Sequence, residues 1–135
     1  SRNMKIGELA NLSDVPVKSI RYYEAEGILA SPQRLENGYR DYSKTAVAEL
    51  IFLRQSRQFG FTLHECRQLL QLWRDPNRRS AEVHQLVIQR QRQVEEQIKD
   101  LTSMHGLLSN LLSHCAADES PDCAIIDSLA EKNHE

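Results

Sequence analysis

The sequence contains no apolar run approaching the roughly 18–20 residues that cross a bilayer, which excludes an integral membrane protein. Five glycines and four prolines are too few for extended low complexity. Three cysteines do not make a secreted disulfide scaffold. No basic segment followed by an apolar one stands at the N-terminus, so no secretory signal is expected and a reducing cytoplasm is the expected setting. There is no Gly-rich phosphate loop, no activated nucleophile and no recognisable pair of catalytic carboxylates, so an enzyme is not expected. Neither sign of charge dominates: 17 Lys and Arg face 19 Asp and Glu, a net charge of −2. The distribution is uneven, with residues 1–60 at +2 and residues 61–135 at −4. A mildly basic front and an acidic back fit a small nucleic-acid reader with a different task behind it.

What is present is 135 residues, enough for one compact domain or a small domain with an extension. From about Lys5 to Tyr42 the pattern reads as two short helices and a hairpin. Ile6, Leu9 and Ala10 form a one-sided stripe, and Ser13-Asp14 interrupts it. Pro16 suits the first turn of a second helix, where Val17, Ile20 and Tyr23 or Glu24 recur at helical spacing and Gly27 is a natural stop. This leaves Lys18, Arg21 and Tyr22 on the exposed face, the helix-turn-helix plan with cations on the recognition helix.

Ile28-Leu29 and Tyr39-Arg40-Asp41-Tyr42 are short strand candidates around the Asn37-Gly38 turn signal. Such a hairpin is a wing that lays Arg34, Tyr39, Arg40 and Tyr42 along a phosphate backbone, with Arg57 on the following helix reaching a further phosphate. The spacing of Tyr23 with Val17 and Ile20 assigns it to the core instead. Ser43 caps a helix that runs to about Phe59 and ends at Gly60. Thr62 caps another, with Leu63, Cys66, Leu69, Leu70 and Trp73 on one side, stopped by Asp75-Pro76-Asn77.

A long helix is expected from about Ser80 to Ser113. At 1.5 Å per residue it extends roughly 50 Å, too far to bury its stripe within so small a monomer. Val87, Val94, Leu101 and Leu108 repeat every seven residues, with His84, Gln91, Ile98, His105 and Leu112 at the alternate positions. A partner helix is the outlet, most simply that of a second chain, so a homodimer is expected. Behind it Cys115 and Cys123 bracket a loop containing Pro121, followed by a short apolar helix through Leu129. Thiolates are soft ligands that select Cu(I), zinc or heavier thiophilic ions. Two sulfurs suit a linear site for a d10 monovalent ion, whereas tetrahedral zinc needs about four ligands that the sequence does not supply. A loop disulfide or unligated thiols are the alternatives. His114 adjoins Cys115 at a helix end and is a lesser candidate, and Cys66 lies on a core stripe.

The runs Ile6-Gly7-Glu8-Leu9-Ala10, Ile20-Arg21-Tyr22-Tyr23-Glu24, Gly27-Ile28-Leu29, Asn37-Gly38-Tyr39-Arg40-Asp41-Tyr42, Phe52-Leu53-Arg54 and Gly60-Phe61 together resemble the MerR family of transcription regulators. The Cys-x7-Cys loop resembles that family's copper-efflux regulator (CueR-like) branch, which implies Cu(I), Ag(I) or Au(I) bound by Cys115 and Cys123. In the zinc, lead, cadmium and mercury branches a further cysteine opens the long helix; the matching position here is Ser80, which the resemblance makes a wall over the partner chain's site.

The implied fold is mainly α. A winged helix-turn-helix DNA-binding domain with its supporting helices occupies residues 4–75, and a linker with an antiparallel dimerisation helix occupies 76–114. A metal-binding loop with a short helix follows at 115–131, and a tail at 132–135. The implied function is activation by distortion of double-stranded promoter DNA for RNA polymerase, with DNA deformation as the switch variable. A thiol redox switch through Cys115 and Cys123, or a divalent-metal sensor of the same family, is the alternative. A multidrug-type regulator would need a larger ligand domain.

Overall fold

A computed structural model of the chain describes residues 4–30, 32–34, 36, 40–115 and 117–131, with the side chains of residues 33, 34 and 40 left out of the description. Among these residues the order is α1 (Ile6–Ser13), α2 (Val17–Ala25), β1 (Gln33–Arg34), β2 (Arg40–Asp41), α3 (Lys44–Gln58), α4 (Leu63–Arg74), α5 (Ser80–Ser113) and α6 (Ala124–Ala130). The fold is mainly α, with a helix-turn-helix front and a long rear helix, as the sequence implies. No helix among the described residues is long and apolar enough to cross a membrane. The chain divides into two units, Ser1–Val87 and Ile88–Glu135.

The first unit is built around a closed apolar core. Leu9 of α1, Ile20 of α2, Leu50 and Leu53 of α3, and Cys66 and Leu70 of α4 are wholly buried. The turn between α1 and α2 is made by Asp14 in the left-handed region (φ 57°), which an aspartate tolerates better than most residues. Ser13 is buried because its Oγ donates back to the Leu9 carbonyl (2.7 Å), so the hydroxyl stays satisfied inside. Pro16 sits one residue earlier than expected, as the N-cap of α2 rather than within its first turn.

Ile28 and Leu29 are not a strand. Gly27, at φ +72°, reverses the chain so that the amides of both residues bond to the Tyr23 carbonyl (2.9 and 3.3 Å). Amides used to close a helix cannot also form a ladder, and the two side chains drop into the core instead. The hairpin starts later, with Gln33 paired to Asp41 and Arg34 to Arg40. The chain then pairs Tyr42 with Met4 through two 2.7 Å bonds, which ties the return strand to the start of the domain. The Asn37-Gly38 turn signal lies outside the described residues.

Ser43 stands at the N-cap of α3, and Gly60 (φ +87°) follows its end. Thr62 and Glu65 form a reciprocal capping box at the start of α4, with bonds of 3.1 and 2.8 Å. Trp73 leaves the core face and stacks on Phe52 of α3 with ring centroids 4.7 Å apart, so one aromatic plane covers another at the surface. In the first turns of α5, Val83 and Leu86 pack against the core.

The second unit is the remainder of α5, the cysteine loop and α6, and none of its described residues is buried. Leu101, Leu107 and Leu112 of α5 each expose more than 60 % of their surface.

Candidate nucleic-acid interface and candidate metal centre

With Ile20 locked in the core, the 100° step of the helix turns Lys18, Arg21 and Tyr22 outward on α2. Tyr22 is half exposed, and its ring lies 6.2 Å from that of Tyr23. Tyr23 packs against the core as expected; burial pushes its phenol pKa up, with the nearby Arg57 guanidinium opposing. Arg57 donates from Nη1 to the Phe61 carbonyl at 3.0 Å. It also borders a cleft of about 340 Å³ lined by Asp14, Pro16 and Ser19. The cation on α3 therefore lies next to the N-terminal turn of the recognition helix.

The wing is the part the structure corrects. Tyr42 was expected on the DNA-facing surface, but only 2 % of it is exposed, and its hydroxyl donates to the Glu24 carboxylate of α2. Its neighbour Asp41 pairs in the hairpin while Tyr42 pairs with Met4, so the ring takes the inward side of the pleat. Arg34 and Arg40 face each other in register through their backbones. Tyr39 lies outside the described residues.

Three supports of the recognition helix were missed. Glu24 holds Tyr42, Arg67 of α4 donates to the Glu26 carbonyl, and Arg74 of α4 donates to the Ile28 carbonyl at 3.2 Å. Arg74 also forks onto Glu49 of α3, with Nε to Oε2 at 2.5 Å and Nη2 to Oε1 at 2.9 Å. Glu49 is buried, and its hydrogen bond raises the Arg74 pKa against the cost of burying the cation. Only the Thr62-x-x-Glu65 box carried a local signature; the others join residues 18 to 46 positions apart, which periodicity cannot pair.

In the second unit, Cys115 and Cys123 face each other with Sγ atoms 3.1 Å apart, both thiols free. Cys115 lies just past α5 and Cys123 is the N-cap of α6, so two helix ends deliver the sulfurs. The turn between them is self-braced: Asp118 Oδ1 accepts from the Ser120 amide (2.9 Å) and Ser120 Oγ from the Asp122 amide (3.1 Å). Ala117 is left-handed at φ 55°. The hydrogen bond from Cys115 and the amides of Ile126 and Ile125 pull the Cys123 pKa down; slight burial and Asp127 pull the other way. A thiolate forms more readily at Cys123 than at an ordinary cysteine. Ala116 lies outside the described residues.

The donor set fits a soft ion of low coordination number. Two thiols converge, and no group of three or more His, Cys, Asp or Glu that could hold a metal occurs among the described residues. The 3.1 Å gap is wider than the ~2.05 Å of a disulfide bond and narrower than two ~2.3 Å metal–thiolate bonds laid end to end. His114 turns away: its Nδ1 lies 2.7 Å from the Asn110 carbonyl on the last turn of α5. Cys66 is fully buried, with Sγ 3.8 Å from the Phe61 carbonyl and its pKa pushed up by burial, so the third thiol is an inert core group. Ser80 is the exposed first residue of α5.

Residues 4–73 match the family described as MerR HTH family regulatory protein, and residues 47–111 match MerR, DNA binding. The chain is 42 % identical over 127 residues to the HTH-type transcriptional regulator CueR of Salmonella typhimurium, covering 94 % of this chain and 92 % of that one. It is 41 % identical to the HTH-type transcriptional regulator HmrR of Rhizobium leguminosarum bv. viciae, covering 95 % and 98 %. Among solved structures it resembles the transcription regulator PbrR691 of Ralstonia metallidurans CH34 in complex with lead(II), at 38 % identity and TM-score 0.84, covering 94 % and 99 %. These relatives are transcription regulators, not enzymes.

Proposed function

The chain belongs to the MerR family and is a metal-responsive transcription regulator of it, and we propose that it is a homodimeric activator sensing Cu(I), Ag(I) or Au(I) through Cys115 and Cys123. The observation that carries this reading is the pair of free, converging thiols with no third donor beside them among the described residues. In the family's divalent branches the added thiolate stands at the position of Ser80, and a hydroxyl is a poor ligand for a soft ion.

The proposed division of labour keeps promoter recognition in residues 4–75, dimerisation in 76–114 and metal sensing in 115–131; the tail at 132–135 lies outside the described residues. Lys18, Arg21 and Tyr22 read DNA from α2, with Arg34, Arg40, Tyr39 and Arg57 holding phosphates on either side. A bound monovalent ion would supply neutralisation of thiolate charge and a cross-link between the ends of the loop. Exposed Ile126 and Leu129 of α6 give the ordered loop an apolar face to dock on the dimer, where Ser80 of α5 walls the partner's site. The DNA is then bent into a form RNA polymerase uses, and the ion acts only through its unequal affinity for the two states.

Anaerobic titration of the reduced protein with Cu(I), and separately with Zn(II) and Pb(II), each against a competing chelator, tests this. One Cu(I) held per chain by two sulfur neighbours in the X-ray absorption spectrum is the expected result. The lead-bound PbrR691 relative favours a divalent ion as the second reading. Tight Zn(II) or Pb(II) with three or more ligands establishes that reading and defeats the first. If no metal binds and mild oxidant removes two hydrogens per chain, the loop is a thiol redox switch.

A further inference from the structure

Two arginines of α4, seven residues apart, reach for the same short segment. Arg67 donates to the Glu26 carbonyl and Arg74 to the Ile28 carbonyl, and these are the carbonyls with which the recognition helix ends and the chain turns toward the wing. A cation at a helix C-terminus satisfies carbonyls that the helix leaves open and complements its dipole. Arg74 does this with its position already fixed, because Nε and Nη2 are committed to Glu49 on α3. Arg74 is also the last residue of α4, from which residues 75–79 lead directly into α5.

We propose that Arg74, seconded by Arg67, is the positioning residue that makes the exit of the recognition helix move with α4, so that a change imposed on α5 reaches the DNA-reading surface. This rests on the metal-responsive reading above. Physical coupling needs an element whose arrangement both ends bias, and the Glu49–Arg74–Ile28 hydrogen bonds join α3, α4 and the exit of α2 into one. Lysine cannot replace it: one ammonium can neutralise Glu49 but cannot also reproduce the planar fork that spans to Ile28.

The test uses Arg74→Lys, which keeps a charge opposite Glu49, because complete removal strands a buried carboxylate and can unfold the head. Arg67→Gln is the second variant, since Arg67 has no buried partner charge to lose. The readouts are metal-dependent transcription in vitro, operator affinity with and without metal, metal affinity, and melting temperature. Arg74→Lys should cut the metal-dependent rise in transcription by roughly 5- to 30-fold and Arg67→Gln by about 2-fold, with both affinities within about 2-fold of the parent.

Parental activation in both variants overturns the proposal. So does a loss of activation that merely follows a loss of operator affinity or of melting temperature. A parent protein that answers no metal defeats the functional reading instead, and amide exchange of the metal-free protein then decides the inference. The Ile28 and Leu29 amides should exchange about tenfold faster in Arg74→Lys with α1 unchanged, and unchanged exchange shows that α4 does not hold this segment.

Discussion

The two units handle apolar side chains in opposite ways. In the front unit Leu9 of α1, Leu50 and Leu53 of α3 and Leu70 of α4 are wholly inside, and even the buried carboxylate of Glu49 has its guanidinium. In the rear unit, leucines at similar frequency stand in the open: Leu101, Leu107, Leu108 and Leu112 all expose more than half of their surface. The front closes its core within one chain. The rear leaves these leucines uncovered within one chain, as the proposed dimer requires.

Substitutions of the same kind should therefore behave differently in the two units. The largest effect is expected for Leu53→Ala or Leu70→Ala, each opening a cavity at about 2–5 kcal/mol. The melting temperature should fall by more than about 10 °C, at every protein concentration, in a calorimetric scan. The same truncation at Leu101 or Leu108 should cost little in dilute protein and become visible only where the dimer forms, so its melting shift should grow with concentration. A Leu101→Asp change should convert the dimer to monomer in sedimentation; a monomeric parent removes the contrast altogether. Arg21→Ala should weaken operator binding without changing metal stoichiometry, and the loss should shrink as salt rises. The smallest effect belongs to Thr62→Ala, which loses half of the capping box at about 1 kcal/mol and should leave operator recognition intact.

Legibility in the sequence followed the range of the interactions. The bounds of α5 were readable because Pro76, the Ser80 start and the seven-residue repeat of Val87, Val94, Leu101 and Leu108 are all local signals. The helix-turn-helix was readable for the same reason. Ile28 and Leu29 were misplaced because their β-prone side chains compete with a glycine-closed helix end that borrows their amides. Tyr42 was misplaced because the strand alternates Tyr39-Arg40-Asp41-Tyr42 without saying which face is inward; its bridge to Met4 settles that, from 38 residues away. At the loop, the chemistry of Cys115 and Cys123 was evident from composition, but their 3.1 Å approach comes from two helix ends and a braced turn that spacing alone does not encode. Glu49 and Arg74 gave no sign of each other.

The sealed position of Cys66 gives the molecule a gauge of its own state. One thiol lies in the core of the first unit and two lie on the loop of the second, so the number of sulfurs that an alkylating reagent reaches reports on both units at once. Two labels per chain mean a folded front and an open loop. No label means that the loop sulfurs are occupied by a metal or by each other while the front stays closed. Three mean that the front has opened. A single mass spectrum can therefore separate a chain that has responded from one that has come apart.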